Sequence, residues 1–255
     1  MTIFKNILIT GASSGIGEAL AKYYALNGAE TLFICGRSAE RLKNTADFCR
    51  QNGVKVYEKV LDVTDKNAVQ EWISDSEKTA PLHLVVANAG VSTGTETKEH
   101  IYNTFNINIF GVLNTVTPAV EIFEKRKDSQ QKAIAITASI AGYHGLPGCP
   151  SYSASKACVK AYGEALRVKL KKENIHVSVI CPGFVHSRIT DKNTCPMPFI
   201  MNADKAAKII ARGIDKNKGL IAFPFVMRFG AYFGSILPNA LSQFFYGLLP
   251  GKVKL

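Results

Sequence analysis

The sequence predicts an α/β protein in which a doubly wound parallel sheet of about seven strands carries helices on both faces, and three observations predict it. Short apolar or β-branched runs alternate with helix-length segments through the first 220 residues. The runs are close to continuously apolar, which suits strands buried on both faces of a parallel sheet. The first run also ends in a glycine-rich turn that opens a helix, "TGASSGIG" at Thr10 to Gly17. Right-handed crossovers then leave essentially one architecture, with ligands bound beyond the carboxyl ends of the strands.

Strand "NILIT" (6–10) leads into a helix over 15–27, strand "TLFIC" (31–35) into 39–52, and strand "VKVYEKV" (54–60) into 66–78. Strand "LHLVVA" (82–87) precedes a long helix over 99–127, and "KAIAIT" (132–137) precedes one over 152–173. "HVSVIC" (176–181), a helix over 203–217 and "LIAF" (220–223) complete the alternation. There is no repeat, low-complexity tract or interdomain linker, so residues 1–255 are expected to form a single dinucleotide-binding domain.

Composition narrows the class. A chain of 255 residues that is 47% apolar and 20% charged can bury one large core. The opening "MTIFKNILITG" is broken by Lys5 and Asn6 and stopped by glycine, which suits a buried strand and not a secretory leader. Cys35, Cys49, Cys149, Cys158, Cys181 and Cys195 are scattered without a C-x-x-C pair, so neither a disulfide framework nor a metal site is expected, and a reducing cytoplasm fits. The net charge is +11, and residues 201–255 carry eight Lys or Arg against two Asp. No recognised motif turns that charge into an expectation of nucleic-acid binding.

In the glycine turn, Gly11, Gly15 and Gly17 let the backbone approach a pyrophosphate held by amides at a helix N-terminus, with Ser13, Ser14 and Ile16 between them. About twenty residues on, where an acid would accept from a ribose 2′-hydroxyl, the chain reads Gly36-Arg37-Ser38. Arg37 can bind a 2′-phosphate bidentately, so NADP(H) is favoured over NAD(H). Asp62, in "LDVTD" with Val63, is either a contact for the adenine end or a cap for the next helix.

Tyr152 and Lys156 stand at i and i+4 of the helix expected over 152–173, on one face. Bringing a phenol from a pKa near 10 toward neutrality takes roughly 4 kcal/mol. An ammonium about 4 Å away at an effective dielectric near 20 supplies a quantity of that order, so the lysine is expected to lower the tyrosine. Ser139 lies thirteen residues before Tyr152, at the end of a strand, where its hydroxyl can support an oxygen that gains charge as hydride arrives.

The combination of "TGASSGIG", "NAG" at Asn88 to Gly90, "NINIFG" with Asn108, Ser139, "YSASK" and "CPGFVHS" at 181–187 resembles the short-chain dehydrogenase/reductase family, in its compact single-domain branch. The resemblance spans roughly residues 3 to 223 and implies a catalytic tetrad of Asn108, Ser139, Tyr152 and Lys156, with Asn108 helping to hold a water on the proton path to Lys156. It implies that Asn88, with Ala89 and Gly90, stabilises the central strands beside the cofactor. It also implies that Pro182, Gly183 and Val185 shape the loop over the nicotinamide, and that Ser187 replaces a threonine often found in that loop. The implied partners are a small carbonyl or alcohol substrate and a second or fourth copy of the chain, as a homodimer or homotetramer.

Residues 188–202 are expected to form an apolar substrate lid. His186 beside it reads as a loop residue. The stretch Phe229 to Pro250 has no charge for 22 residues but is interrupted by Pro238, Asn239, Ser242 and Gln243, which argues against a membrane span. The tail, 225–255, therefore has two readings: a cover over the pocket or a neighbouring subunit, and an interfacial helix flanked by Arg228, Lys252 and Lys254 that contacts anionic headgroups at the inner face of a membrane. The expected function is NADP(H)-dependent hydride transfer at a carbonyl or secondary alcohol, on a lipophilic substrate; a non-catalytic dinucleotide sensor or scaffold is the alternative.

Overall fold

The computed structural model describes residues 2–92, 96–188, 190 and 196–247. Seven strands form one parallel sheet: β1 (Asn6–Thr10), β2 (Thr31–Gly36), β3 (Lys55–Val60), β4 (Leu84–Ala87), β5 (Lys132–Thr137), β6 (Ile175–Pro182) and β7 (Leu220–Phe223). Their order is β3-β2-β1-β4-β5-β6-β7, with the reversal between β1 and β4 that creates a crevice at the strands' carboxyl ends. Register is set by apolar rows, for example Leu8 opposite Phe33 on one side and Val85 on the other.

Helices α1 (Gly15–Leu26), α2 (Ala39–Gln51) and α7 (Ala203–Asp215) cover one face, where Leu20, Tyr24, Leu42, Ile210 and Ile214 pack on Ile7, Ile9 and Ile34. On the other face, α3 (Lys66–Thr79), α5 (Gly111–Lys125) and α6 (Pro150–Lys169) seat Trp72, Val116, Phe123 and Val159 against Leu8, Val85 and Ile134. Burial of both faces explains why β2, β4 and β5 read as unbroken apolar runs. Edge strand β3 departs from that pattern: it is largely exposed, and it docks through Tyr57, stacked on Phe33 at 5.2 Å, and through an ion pair between Glu58 and Arg50.

Two helices differ from expectation. The segment 99–127 is not one helix: α4 (Lys98–Phe105) passes into a π-turn, Asn106–Phe110, before α5. The wider turn inserts an extra residue and rotates α5 about its axis relative to α4. Gly111 then meets Val63 so closely that a Cβ would stand 2.5 Å from its Cγ2. The 152–173 helix begins earlier, with Pro150 in its first turn, and closes in a 3-10 turn over Leu170–Glu173. Helix α3 is capped by Asp65, which accepts from the Ala68 amide at 3.0 Å, so Asp62 is not its cap.

Beyond β7 the chain forms α8 (Phe225–Ile236) and α9 (Asn239–Gly247), separated at Pro238. Among the described residues no helix is long and apolar enough to cross a membrane.

Candidate active site

A cleft of about 950 Å³ opens at the carboxyl ends of the strands. At one end lies the glycine turn. Gly11 and Gly15 adopt φ of 72° and 59°, the left-handed region that glycine alone enters without strain. A Cβ on Gly17 would stand 2.3 Å from the Gly11 carbonyl, so turn and helix meet with no room for a side chain. Gly17 therefore shapes the cradle from behind, while Gly11, Ser13, Ser14, Gly15 and Ile16 line the cleft.

Arg37 and Asp62 face each other at this end, Nη1 to Oδ2 at 3.9 Å, both substantially exposed. The Asp62 carboxylate also accepts from the Thr64 amide and hydroxyl, each at 2.9 Å, which holds the loop carrying Val63 against the cleft. Arg41 joins them. Its buried Nε has no hydrogen-bond partner among the described residues, and the side chain lines the cleft from the first turn of α2. Arg41 was not singled out from sequence, and a second arginine close after Arg37 in "GRSAER" does not by itself say that its side chain turns to the cleft.

Asn88 ties three strand ends together. Its Nδ2 donates to Thr10 O at 3.1 Å, its backbone amide donates to Thr10 Oγ1 at 3.0 Å, and its Oδ1 accepts from Thr137 Oγ1 at 3.4 Å. Ala89 and Gly90 continue the wall, and a Cβ on Gly90 would stand 3.2 Å from Asn108 Oδ1 and 3.3 Å from Lys156 Nζ.

Ser139, Tyr152 and Lys156 converge on the next stretch of wall. Ser139 caps the short 3-10 turn Ile140–Gly142, its Oγ accepting from the Ala141 amide at 3.1 Å. That turn is pressed onto α6: a Cβ at Gly142 would lie 2.7 Å from the Lys156 carbonyl carbon. This contact brings the serine beside the tyrosine, and the Ser139 hydroxyl donates to Pro182 O at 3.4 Å. Lys156 is almost wholly buried, with Nζ donating to Thr137 O at 2.9 Å and lying 5.7 Å from the Tyr152 ring centre.

The expected lowering of the phenol is overturned. Burial pushes Tyr152 up to about 12, only partly offset by the Ser139 hydroxyl beside it. Burial also pulls the Lys156 ammonium down to about 8. Both groups occupy one poorly solvated wall, where loss of hydration is the largest influence on each, and the ammonium donates to the Thr137 carbonyl.

Asn108 is fully buried in the π-turn and does not line the cleft. Its Oδ1 accepts from the Val91 amide at 2.8 Å, and its Nδ2 donates to Val91 O at 2.9 Å and Ser155 Oγ at 3.0 Å. It is a positioning residue that fastens the loop after β4 to α6.

Pro182, Gly183, Val185 and Ser187 form the far wall, with Ser187 exchanging backbone-to-hydroxyl hydrogen bonds with Thr190. Thr190 also lines the cleft and was not singled out from sequence. His186 is exposed, and its amide donates to Met201 O. Of the expected lid, residues 189 and 191–195, including Cys195, lie outside the described residues. The roof is α8 and α9: Met227, Ala231, Gly234, Leu237 and Tyr246 face the cleft, and Tyr246 stacks on His144 at 4.1 Å.

The residues present fit a dinucleotide. The glycine cradle admits backbone-close contact, and the unpartnered Arg41 Nε stands ready for an anion at the end where a ribose phosphate would lie.

The short chain dehydrogenase family matches residues 5–196. An uncharacterized oxidoreductase of Myxococcus xanthus is 35% identical over 243 residues, covering 93% of this chain and 94% of its own. A protein named 11-beta-hydroxysteroid dehydrogenase-like 4A, from Arabidopsis thaliana, is 32% identical over 254 residues, covering 93% and 82%. Among solved structures, a short chain dehydrogenase/reductase from Burkholderia phymatum in complex with NAD superposes with a TM-score of 0.81 at 24% identity, covering 91% of this chain and 93% of that one. A short-chain dehydrogenase from Sphingobium yanoikuyae in complex with NADPH gives 0.78 at 25%, covering 92% and 97%. With the sheet order, the glycine cradle and the Ser139, Tyr152 and Lys156 cluster in place, the chain belongs to the short-chain dehydrogenase/reductase family of oxidoreductases.

Proposed function

We propose that the protein is an NADP(H)-dependent oxidoreductase that moves hydride between the nicotinamide and a carbonyl or secondary alcohol of a lipophilic small molecule. The observation that carries this reading is the convergence of Ser139, Tyr152 and Lys156 in the cleft that also contains the glycine cradle. The bound dinucleotide supplies the hydride. As the carbonyl carbon receives it, the C=O electron pair moves to oxygen, and that oxygen takes the Tyr152 proton. Ser139 donates a hydrogen bond to the same oxygen. A phenol that burial pushes up to about 12 starts protonated at neutral pH, as the reductive direction requires; preference for NADP(H) is what favours reduction as the working direction. Lys156 stands close enough to steady the phenolate left behind and to hold a ribose hydroxyl.

Arg37 and Arg41 support the preference for a 2′-phosphate, since both line the cleft there and Asp62 is the one acidic residue among the described residues that line it. Ile140, Leu146, Pro147, Phe184 and Met227 support a lipophilic substrate. None of the five described cysteines forms a disulfide, which supports a cytoplasmic setting. Assembly as a homodimer or homotetramer completes the reading.

NADPH oxidation across ketones of graded chain length tests it. Tyr152→Phe should keep NADPH affinity within about twofold and lose roughly a thousandfold in kcat. Normal turnover in that variant removes the assigned acid, and NADPH binding without reduction of any ketone by the wild type moves the reading to a sensor or scaffold. Replacing Arg37 and Arg41 with alanine should weaken NADPH about tenfold or more while leaving NADH unchanged; equal losses for both cofactors would refute the 2′-phosphate assignment.

A further inference from the structure

The α8–α9 hairpin has two apolar faces, and among the described residues only one is covered. Met227, Ala231, Gly234 and Leu237 recur at helical spacing and face the cleft. Gly234 presses so closely on α9 that a Cβ there would stand 2.3 Å from the Tyr246 hydroxyl, which fastens the two helices together. On the opposite side, Phe225 is 74% exposed, Phe229 61% and Ile236 60%, with Val226, Tyr232 and Leu241 beside them. No residue of α8 is buried. Phe229 stacks on Phe225 and, toward the rim of the cleft, on Phe233, each at 6.4 Å.

We infer that this outer face seats on an anionic lipid surface, and that the cleft behind it receives its lipophilic carbonyl from that surface. The second half rests on the proposed reductase reading; the first stands without it. Charge argues for the occupant. From Pro224 to the end of the chain there is no acidic residue, and the charged groups are Arg228, Lys252 and Lys254, all cationic. A second copy of this face would set Arg228 against its own counterpart, whereas anionic headgroups neutralise it. Polarity agrees: the Ser235 hydroxyl donates to Tyr232 O at 2.7 Å, so it enters an apolar boundary already satisfied. Position agrees too, because the helix that would lie in the lipid boundary is itself the roof of the cleft, and a solute leaving the acyl layer has one helix thickness to pass.

The test is cosedimentation of the full chain with vesicles of phosphatidylcholine, alone or mixed with phosphatidylglycerol. The expected result is binding to the mixed vesicles that weakens as salt rises. Phe225→Ser/Phe229→Ser/Ile236→Ser should bind about tenfold less or weaker still. Arg228→Gln should lose roughly fivefold on the mixed vesicles and nothing on the neutral ones. None of these residues lines the cleft, so both variants should retain the wild-type melting profile and NADPH oxidation with a short, water-soluble ketone. With a long-chain ketone dissolved in the bilayer, the triple variant should raise KM and leave kcat alone. Absence of wild-type binding to the mixed vesicles, or equal binding by the triple variant, overturns the proposal. So does light scattering that shows the wild type as a dimer split by the triple substitution without vesicle binding, which would make the face a subunit contact. If no ketone is reduced by any form, the reductase reading fails while vesicle binding still decides the lipid contact.

Discussion

Helices α6 and α8 border the same cleft and solve opposite problems. Helix α6 lies against the sheet and buries polar chemistry: Ser151, Ser153, Ser155 and Lys156 are all withdrawn from water. Helix α8 leaves aromatic side chains in solvent and buries no residue. In α6 the cost of removing an ammonium from water is borne by a framework packed on β5 and β6, with the Ile140–Gly142 turn clamped against it. Helix α8 turns Met227 and Ala231 toward the core, and its remaining apolar surface faces outward. The contrast teaches that the catalytic wall is held by what surrounds it, and that the roof's outer face has been shaped for something other than internal packing.

Three substitutions break or sharpen this contrast. The largest effect is expected from Lys156→Met. The folded-state pKa near 8 lies below the ordinary 10.5, so below pH 8 the lysine is charged in both states and the folded state carries the whole cost of burying it. Between pH 8 and 10.5 the folded chain has released the proton that the unfolded chain retains, so stability should rise with pH through that window and the methionine variant should stay flat there. A displacement of that size corresponds to roughly 3 kcal/mol, and the bond lost to Thr137 O offsets about 1. Denaturant unfolding at pH 7 should therefore find Lys156→Met about 2 kcal/mol more stable, with turnover lost. A destabilised variant would mean that Lys156 is a net structural asset.

Gly163→Ala probes the clamped side. Its Cβ would stand 2.6 Å from Val179 Cγ2 and 3.2 Å from Ile136 Cδ1, in a β-branched wall with little freedom to shift. Overpacking of this kind costs about 1–3 kcal/mol against a gain in helix propensity near 1. A net loss of roughly 1 kcal/mol is expected in the same unfolding assay, and a gain would show that α6 is less tightly seated than its contacts imply. The smallest effect belongs to Gly230→Ala on α8, where a Cβ meets nothing within 4 Å. That substitution should stabilise by about 0.5–1 kcal/mol through propensity alone. A loss would place a close neighbour on that face.

Much of the fold was legible because it is written locally. Each strand of the sheet was anticipated within one or two residues at its ends: the inner strands because a run buried on both faces must be apolar along its whole length, and edge strand β3 by its β-branched and aromatic residues. The Tyr152 and Lys156 pair was legible for a related reason: a spacing of four on a helix is a direction in space. The long helix over 99–127 was not resolved into α4, the π-turn and α5, because a π-turn leaves no mark in hydrophobic period and is stabilised here by Asn108 reaching Val91 and Ser155. The seat of Arg41 was missed for the same kind of reason, its unpartnered nitrogen being a property of the neighbours that enclose it.

The amino-acid sequence by itself determined the sheet, the glycine turn and which side chains share a helix face, because these depend on residues a few positions apart and on the alternation of polar and apolar groups. Only the tertiary structure decided that the tyrosine is raised and the lysine lowered, and that the tail roofs the cleft with one face while offering the other. Hydration lost by a buried charge is a sum over every group packed around it, and the sides of a helix become different only when something stands against one of them.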